Sequence, residues 1–366
     1  MFLERRSATS DDRRSDAYRY ELPPDLIAQH PAGRRDASRL MVLEGDAIEH
    51  AHFADLPQYL RPRDVLVLNE TRVIAARLFG SREPSGGRVE LLLLHPAGGG
   101  RFDPNASRWV ALARPARRLH TGDRIRFDAS GSARVTAELS DGAREVEFEL
   151  LEPFEAFLER AGRLPLPPYV HDDSHENERR YQTVFARVPG SVAAPTASLH
   201  FTDELLGEIE ALGVSIVRIV LDVGLGTFRP MTAERIDDHE MHAEHYEIPA
   251  AASRAIATAR AGGGRVVAAG TTVVRALESA ADEDGAIAPG VGRTSLFITP
   301  GYRFRAVDAL ITNFHLPQSS LLVLVGAFAG RERVLHAYEE AVRERYRFFS
   351  FGDAMFVFRD SERKKL

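Results

Sequence analysis

The chain has no cysteine among its 366 residues, and that absence removes disulfides, thiolate-ligated zinc, iron–sulfur clusters and thiol nucleophiles together. It has no long apolar run either. The longest, LLVLVGAFAG at 321–330, falls far short of the ~18–20 residues a bilayer span needs and reads as a buried strand or the start of a helix. Neither a G-x-G-x-x-G turn nor a Walker sequence occurs, so nicotinamide dinucleotides and P-loop nucleotides have no support. Positive charge is not in excess: 47 Lys and Arg stand against 53 Asp and Glu, for a net charge of −6 and a pI of about 6.1. A nucleic-acid partner would have to be held by a local basic patch. Residues 1–17, MFLERRSATSDDRRSDA, have no apolar h-region; they read as a disordered extension rather than a signal peptide, and the expected location is the cytoplasm.

What is present is ordinary for a soluble globular protein: 44% hydrophobic and 27% charged residues, in a length that suits about two domains. PPDLIAQ predicts a short helix, and RLMVLE and DVLVLN predict strands. Between 72 and 152, short β-type runs such as GRVELLLLH, RWVALAR and REVEFEL are separated by the turn signals EPSGG, HPAGGG, HTGD and SDG, with no amphipathic helix among them. Many short strands without helices manage their edges by closing into a barrel. After Pro153 the rhythm becomes strand–helix alternation, from FTDELLGEIEALG and VSIVRIVLDVG to VDALITNF and a terminal helix, VLHAYEEAVRERY. The expected fold is therefore α/β: a main α/β domain with a mainly parallel sheet, formed by both chain ends (18–71 and 153–366), and a small antiparallel β-barrel inserted at 72–152.

Several segments carry candidate chemistry. GRVVAAGTTVVRALESA is a strand, a glycine turn and a helix starting at Thr271 or Thr272, a place where free N–H groups bind anions, or else a plain βα connection with a threonine cap. ITNFHLPQSS puts Asn313, His315 and Ser320 just past a strand, where open α/β sheets bind ligands. GSVAAPTASLHFT supplies Ser191, Thr196 and His200 on a small-residue loop, and VLDVGLGTFRP offers Asp222, Gly224, Gly226 and Thr227 where glycines break a strand. HEMHAEHYEI (239–248) holds His239, His242 and His245, but Ala243 occupies the place of the second histidine in H-E-x-x-H, so the zincin motif fails. As a strand, His242 and Glu244 share one face while His239 and His245 turn the other way, so the three histidines do not converge on a metal. A histidine and a carboxylate two residues apart suit acid–base work or sugar hydroxyls. Arg114, Arg117, Arg118, Arg124 and Arg126, in ARPARRLHTGDRIRF, form either a solvated basic face or a set of phosphate contacts.

Taken together, YELPPDLIAQHPAGRRDASRLMVL, DVLVLNETRVIAARLFG, GSVAAPTASLHFT, HEMHAEHYEI, GTTVVRALES and TNFHLPQSS, in order from about Tyr18 to Val357, closely resemble the S-adenosylmethionine:tRNA ribosyltransferase-isomerase family of queuosine biosynthesis. The resemblance implies transfer of the ribosyl part of S-adenosylmethionine to 7-aminomethyl-7-deazaguanine in the tRNA wobble position. Its isomerisation gives epoxyqueuosine, with adenine and methionine released. It implies S-adenosylmethionine as a co-substrate, no metal and no further cofactor, a tRNA partner, no membrane, and a monomer as the working expectation. By motif it carries His239, His242, Glu244, His315 and Asp222 to catalysis. Thr271, Thr272, Arg275 and Asn313, with the loop residues above, go to substrate binding, and the barrel arginines go to tRNA. Two departures stand out: Asp222 occupies a position where the family usually has histidine, and Ser198 one where it usually has glycine. Two other readings remain: a degenerate tRNA-binding relative without turnover, and a metal-dependent hydrolase built on the His239–His245 cluster.

Overall fold

The computed structural model describes residues 10–129, 131–172, 174–224, 231 and 233–359. Its largest element is a nine-stranded sheet. Four central strands run parallel, in the order Ser215–Leu221, Val65–Asn69, Val266–Ala269 and Ala309–Asn313. Val65–Asn69 and Ala309–Asn313 are buried along their whole length, as expected of strands covered on both faces. Alternate side chains feed two cores: Val65 and Val67 pack with Ile256, Val274 and Leu324 on one face, Leu66 and Leu68 with Leu205 and Ile209 on the other. Helices therefore cover both faces, the α/β layering that strand–helix alternation predicts.

Beyond the parallel centre the sheet becomes mixed. Ala354–Phe358 adds antiparallel to Ala309–Asn313 and parallel to Arg39–Glu44, and Ala47–His52 forms one edge. At the other edge lie Glu244–Ile248 and Gly290–Thr294. N-terminal and C-terminal segments thus share one sheet. The sequence reading stops at the helix Arg331–Arg343 and misses the Ala354–Phe358 strand that follows.

Six strands of the second, seven-stranded sheet close into an antiparallel barrel: Arg77–Glu83, Gly87–Pro96, Arg108–Arg114, Ala143–Leu150, Gly131–Glu138 and Arg124–Arg126, which pairs back onto Arg77–Glu83; the seventh, Gly162–Arg163, adds to the start of Arg77–Glu83. At the closure a Cβ on Gly80 would stand 2.7 Å from Ile125 Cγ2 and 2.8 Å from the carbonyl of Arg126, so only glycine lets these strands approach. Trp109 and Phe148 fill the interior, and the helix Phe154–Ala161 lays Phe154, Phe157 and Leu158 against them.

One local expectation is corrected: PPDLIAQ gives only a 3-10 turn at Pro24–Leu26. Of the two readings of LLVLVGAFAG, the helical one holds: all but its last residue lie in the buried helix Ser320–Ala329, capped by the Ser319 hydroxyl on Leu322 N–H at 3.3 Å. Residues 10–17 are not a structureless extension. Ser10–Arg13 and Ser15–Tyr18 are 3-10 turns held by Arg13–Asp237 (2.6 Å), Arg331–Asp12 (3.0 Å) and Ser15 N–H on the Glu234 carbonyl (3.0 Å). Among the described residues no helix is long and apolar enough to cross a membrane.

Candidate functional site

Two neighbouring parallel strands end side by side at the carboxyl edge of the sheet. Val266–Ala269 turns through Gly270, at φ +105°, into the helix Thr271–Ala280. Ala309–Asn313 continues into Phe314 and His315. A positive φ is what glycine tolerates and other residues resist, so the turn can be this tight only with Gly270. The expected threonine cap is not made: Gly270 is the N-cap and no side chain caps the helix, leaving first-turn N–H groups at the positive end of the helix dipole.

Between these strand ends lies a cleft of about 520 Å³, part of it open to solvent. It brings together Thr196, Thr271, Thr272, Asn313 and His315, all marked by the sequence. It also takes in Thr312, Phe349 and Ser350, which the sequence reading did not single out; the only signal for the last two is a serine set between phenylalanines in RFFSFGD.

The groups around the cleft are tightly fixed. His315 is buried and pairs through Nε2 with the Thr312 hydroxyl at 2.8 Å, while its backbone is held by the hydroxyls of Tyr338 and Tyr20. Burial lowers its pKa to about 3, so the ring is neutral at physiological pH and a weak proton acceptor. His200 is also neutral, its pKa lowered to about 4 chiefly by burial. It bridges Ser38 Oγ at 2.8 Å and Asn313 Oδ1 at 3.3 Å. The Asn313 amide in turn donates to the Phe349 carbonyl at 2.9 Å, which fixes the Phe349–Ser350 wall of the cleft.

Other sequence candidates have different roles. Glu244 is buried against Arg275, and its second oxygen accepts from Gly224 N–H at 3.0 Å. The Arg275 guanidinium also donates to the carbonyls of Leu296 (2.9 Å) and Thr294 (3.3 Å), so its donors are spent inside the protein and do not line the cleft. The pair braces the end of the strand Ser215–Leu221, where Val223 joins the cleft wall. Ser191 is wholly buried and holds the same strand end, accepting from Val223 N–H at 2.8 Å and pairing with Thr71 Oγ1 at 2.8 Å. Ser320 is buried in the first turn of its helix, and Leu321 beside it lines the cleft. Gly226 and Thr227 lie outside the described residues.

The strand expected across HEMHAEHYEI begins only at Glu244. His239 and His242 precede it. His239 is half-buried, edge-on to Phe297 at 5.4 Å, and its pKa is lowered by burial and then by His242; His242 is exposed. Among the described residues no group of three or more histidine, aspartate or glutamate side chains gathers in a metal-holding arrangement.

Asp222 faces the barrel. Its carboxylate takes Arg101 Nε at 2.9 Å, and the same guanidinium reaches Glu247 at 3.0 Å. Arg101 sits on the connection between the barrel strands Gly87–Pro96 and Arg108–Arg114, so this pair ties barrel to main sheet. Burial raises the Asp222 pKa above its ordinary value, and Arg101 opposes that shift. On the barrel surface Arg124 and Arg126 are paired with Glu149 and Glu83, whereas Arg114, Arg117 and Arg118 are exposed and have no ion pair among the described residues.

The model of the family described as "Queuosine biosynthesis protein" matches residues 15–357. A relative from Symbiobacterium thermophilum, named S-adenosylmethionine:tRNA ribosyltransferase-isomerase, is 55% identical over 341 residues, covering 92% of this chain and 98% of its own. One of the same name from Moorella thermoacetica is 54% identical over 94% of this chain and 99% of its own. The crystal structure of S-adenosylmethionine tRNA ribosyltransferase from Thermotoga maritima aligns over 93% of this chain and 100% of that one, with 38% identity and a TM-score of 0.53.

Proposed function

The chain belongs to the queuosine biosynthesis protein family, and from that premise we propose that it transfers the ribosyl group of S-adenosylmethionine to 7-aminomethyl-7-deazaguanine in the wobble position of tRNA and isomerises it, giving epoxyqueuosine. It does so as a monomer in the cytoplasm, with S-adenosylmethionine as co-substrate and no further cofactor. The observation that carries this reading is the 55% identity to a relative of that name across 92% of the chain.

The cleft offers the chemistry that S-adenosylmethionine needs. Its carboxylate suits the uncapped first turn at Thr271 and Thr272, where N–H groups and the helix dipole favour an anion. Phe314 and Phe349 supply apolar walls, and Thr312, His315 and Thr196 place a few polar groups around the sugar. The sulfonium makes the adjoining 5′ carbon acidic and methionine a good leaving group. Loss of a proton there opens the sugar and expels adenine; the aminomethyl nitrogen of the RNA base then attacks, and methionine departs as the rearranged ring closes. His315, with its low basicity, serves by hydrogen bonding; His239, neutral near pH 7 because burial lowers its pKa, stands outside the cleft lining, and the family motif alone carries it to proton transfer. Arg114, Arg117 and Arg118, without a carboxylate partner among the described residues, are the barrel groups suited to RNA phosphates.

The test is to incubate purified protein with S-adenosylmethionine and tRNA carrying 7-aminomethyl-7-deazaguanine, then follow adenine and digest the tRNA for nucleoside mass. Adenine released in step with epoxyqueuosine is the expected result. Tight tRNA binding with neither product would make the chain a non-catalytic relative.

A further inference from the structure

A second, smaller cleft adjoins the first, with Ser350 in the wall of both. It has a volume of about 280 Å³, part of it open to solvent, and Arg35, Arg180 and His200 line it among small and apolar residues. Both arginines are partly buried, and neither has a carboxylate within ion-pair distance among the described residues. Arg35 donates to the carbonyls of Leu199 at 3.0 Å and Arg180 at 3.4 Å; Arg180 donates to those of Ala32 at 2.8 Å and Gly33 at 3.1 Å. Among the described residues Arg180 Nε is buried without a hydrogen-bond partner.

The two buried carboxylates of this region are already committed, and Asp203 and Glu176 act on the arginines only at longer range. Asp36 holds Arg34 through two bonds of 3.1 and 3.0 Å, and Asp353 takes the backbone N–H groups of Arg39 (2.9 Å) and Arg347 (2.8 Å). His200 is neutral and contributes no charge. Burial, and after it the charge of Arg180, lowers the Arg35 pKa to about 10, and burial lowers that of Arg180 as well. Only the longer-range charges of Asp203 and Glu176 offset these two guanidiniums, so an anion that pairs with them directly is favoured.

We propose that the Arg35–Arg180 cleft binds a backbone phosphate of the RNA substrate beside the nucleotide that reacts in the neighbouring cleft. This rests on the functional reading above. A guanidinium fork matches phosphate oxygens, and two forks neutralise a phosphodiester well. The amino-acid end of S-adenosylmethionine is a poorer fit, because its ammonium would meet two cations and no carboxylate. The site would act as a register pin: it fixes the strand one wall away from the cleft where the base must meet the sugar.

The experiment measures tRNA affinity over a series of salt concentrations and S-adenosylmethionine affinity by calorimetry, for the wild-type chain, Arg180→Gln and Arg180→Lys, with melting curves as a check on folding. Arg180→Gln should weaken tRNA binding by about tenfold at low salt. It should also flatten the slope of log K against log salt by about 0.7–1, the loss of one phosphate contact, with S-adenosylmethionine affinity unchanged. Arg180→Lys should keep the slope but bind several-fold more weakly, and it carries the test alone if the glutamine variant does not fold. Unchanged tRNA affinity in the folded variant overturns the proposal. So does a loss of S-adenosylmethionine binding with tRNA binding intact, which would assign the cleft to the co-substrate. Wild-type protein that binds no tRNA would instead sink the functional reading itself.

Discussion

His200 and Asn313 are joined through Nε2 and Oδ1 at 3.3 Å, and this contact links the two clefts. With Nδ1 on Ser38, the ring has no nitrogen left for a substrate; its task is to hold the Asn313 amide, which holds Phe349. Asn313→Ala would leave His200 and the Phe349 carbonyl unpaired in a buried place. A loss of about 2–3 kcal/mol in urea unfolding is expected, with the KM for S-adenosylmethionine raised more than kcat is lowered. Unchanged stability would show that the amide is not the tie described.

The two buried histidines also set a pH dependence of stability. His315 titrates at about 3 and His200 at about 4, both below the ordinary 6.5 because burial disfavours the charged ring. For groups depressed on folding, the stabilising contribution is complete above pH 6.5 and is lost as pH falls toward 4 and then 3. Each contributes at most about 1.4 kcal/mol per pH unit in that window. Urea midpoints measured from pH 7 to 4.5 should fall, and the fall should be shallower in His315→Gln. An identical slope in the variant would contradict the assignment.

Glu244 and Arg275 form a buried ion pair, and breaking one side strands the other charge. Glu244→Gln is expected to cost about 3–5 kcal/mol, and the double variant Glu244→Gln, Arg275→Gln less than the sum of the two single changes. Additive losses in the thermodynamic cycle would mean that the two groups do not stabilise each other.

Asp222, the residue that departs from the family pattern, is explained in part by its partner. Arg101 from the barrel meets it at 2.9 Å, a contact between the two sheets. Asp222→Ala should cost about 1–3 kcal/mol and speed amide exchange in the connection around Arg101, while the barrel strands exchange as before. No change at that connection would leave Asp222 without a docking role. Ser198 is different: it is buried, its hydroxyl has no partner, and nothing in the structure explains it.

The barrel and the parallel centre of the sheet were legible because alternation, apolar runs and turn residues are local signals. GVGRT was not: two glycines and an arginine have little strand preference, and Gly290–Thr294 is a strand only because Glu244–Ile248 pairs with it. Residues 10–17 looked disordered for a similar reason, since their order comes from ion pairs to residues more than 200 positions away. At the site, Thr271, Thr272, Asn313 and His315 could be found because they follow strands in an α/β rhythm. Phe349 and Ser350 could not, because Phe349 has a φ of +77° and its place is set by the distant amide of Asn313.

The central claim is that the cleft at the ends of Val266–Ala269 and Ala309–Asn313 is where S-adenosylmethionine binds and loses its ribosyl group. Leu321, half-buried in its wall, can be enlarged without disturbing the sheet. The measurement is calorimetric binding of S-adenosylmethionine, with adenine release on tRNA carrying 7-aminomethyl-7-deazaguanine, for the wild-type chain and Leu321→Trp. The account predicts binding and release by the wild type, both lost in the tryptophan variant, while tRNA affinity and the melting temperature hold. A folded Leu321→Trp protein that binds S-adenosylmethionine and releases adenine as the wild type does would contradict it.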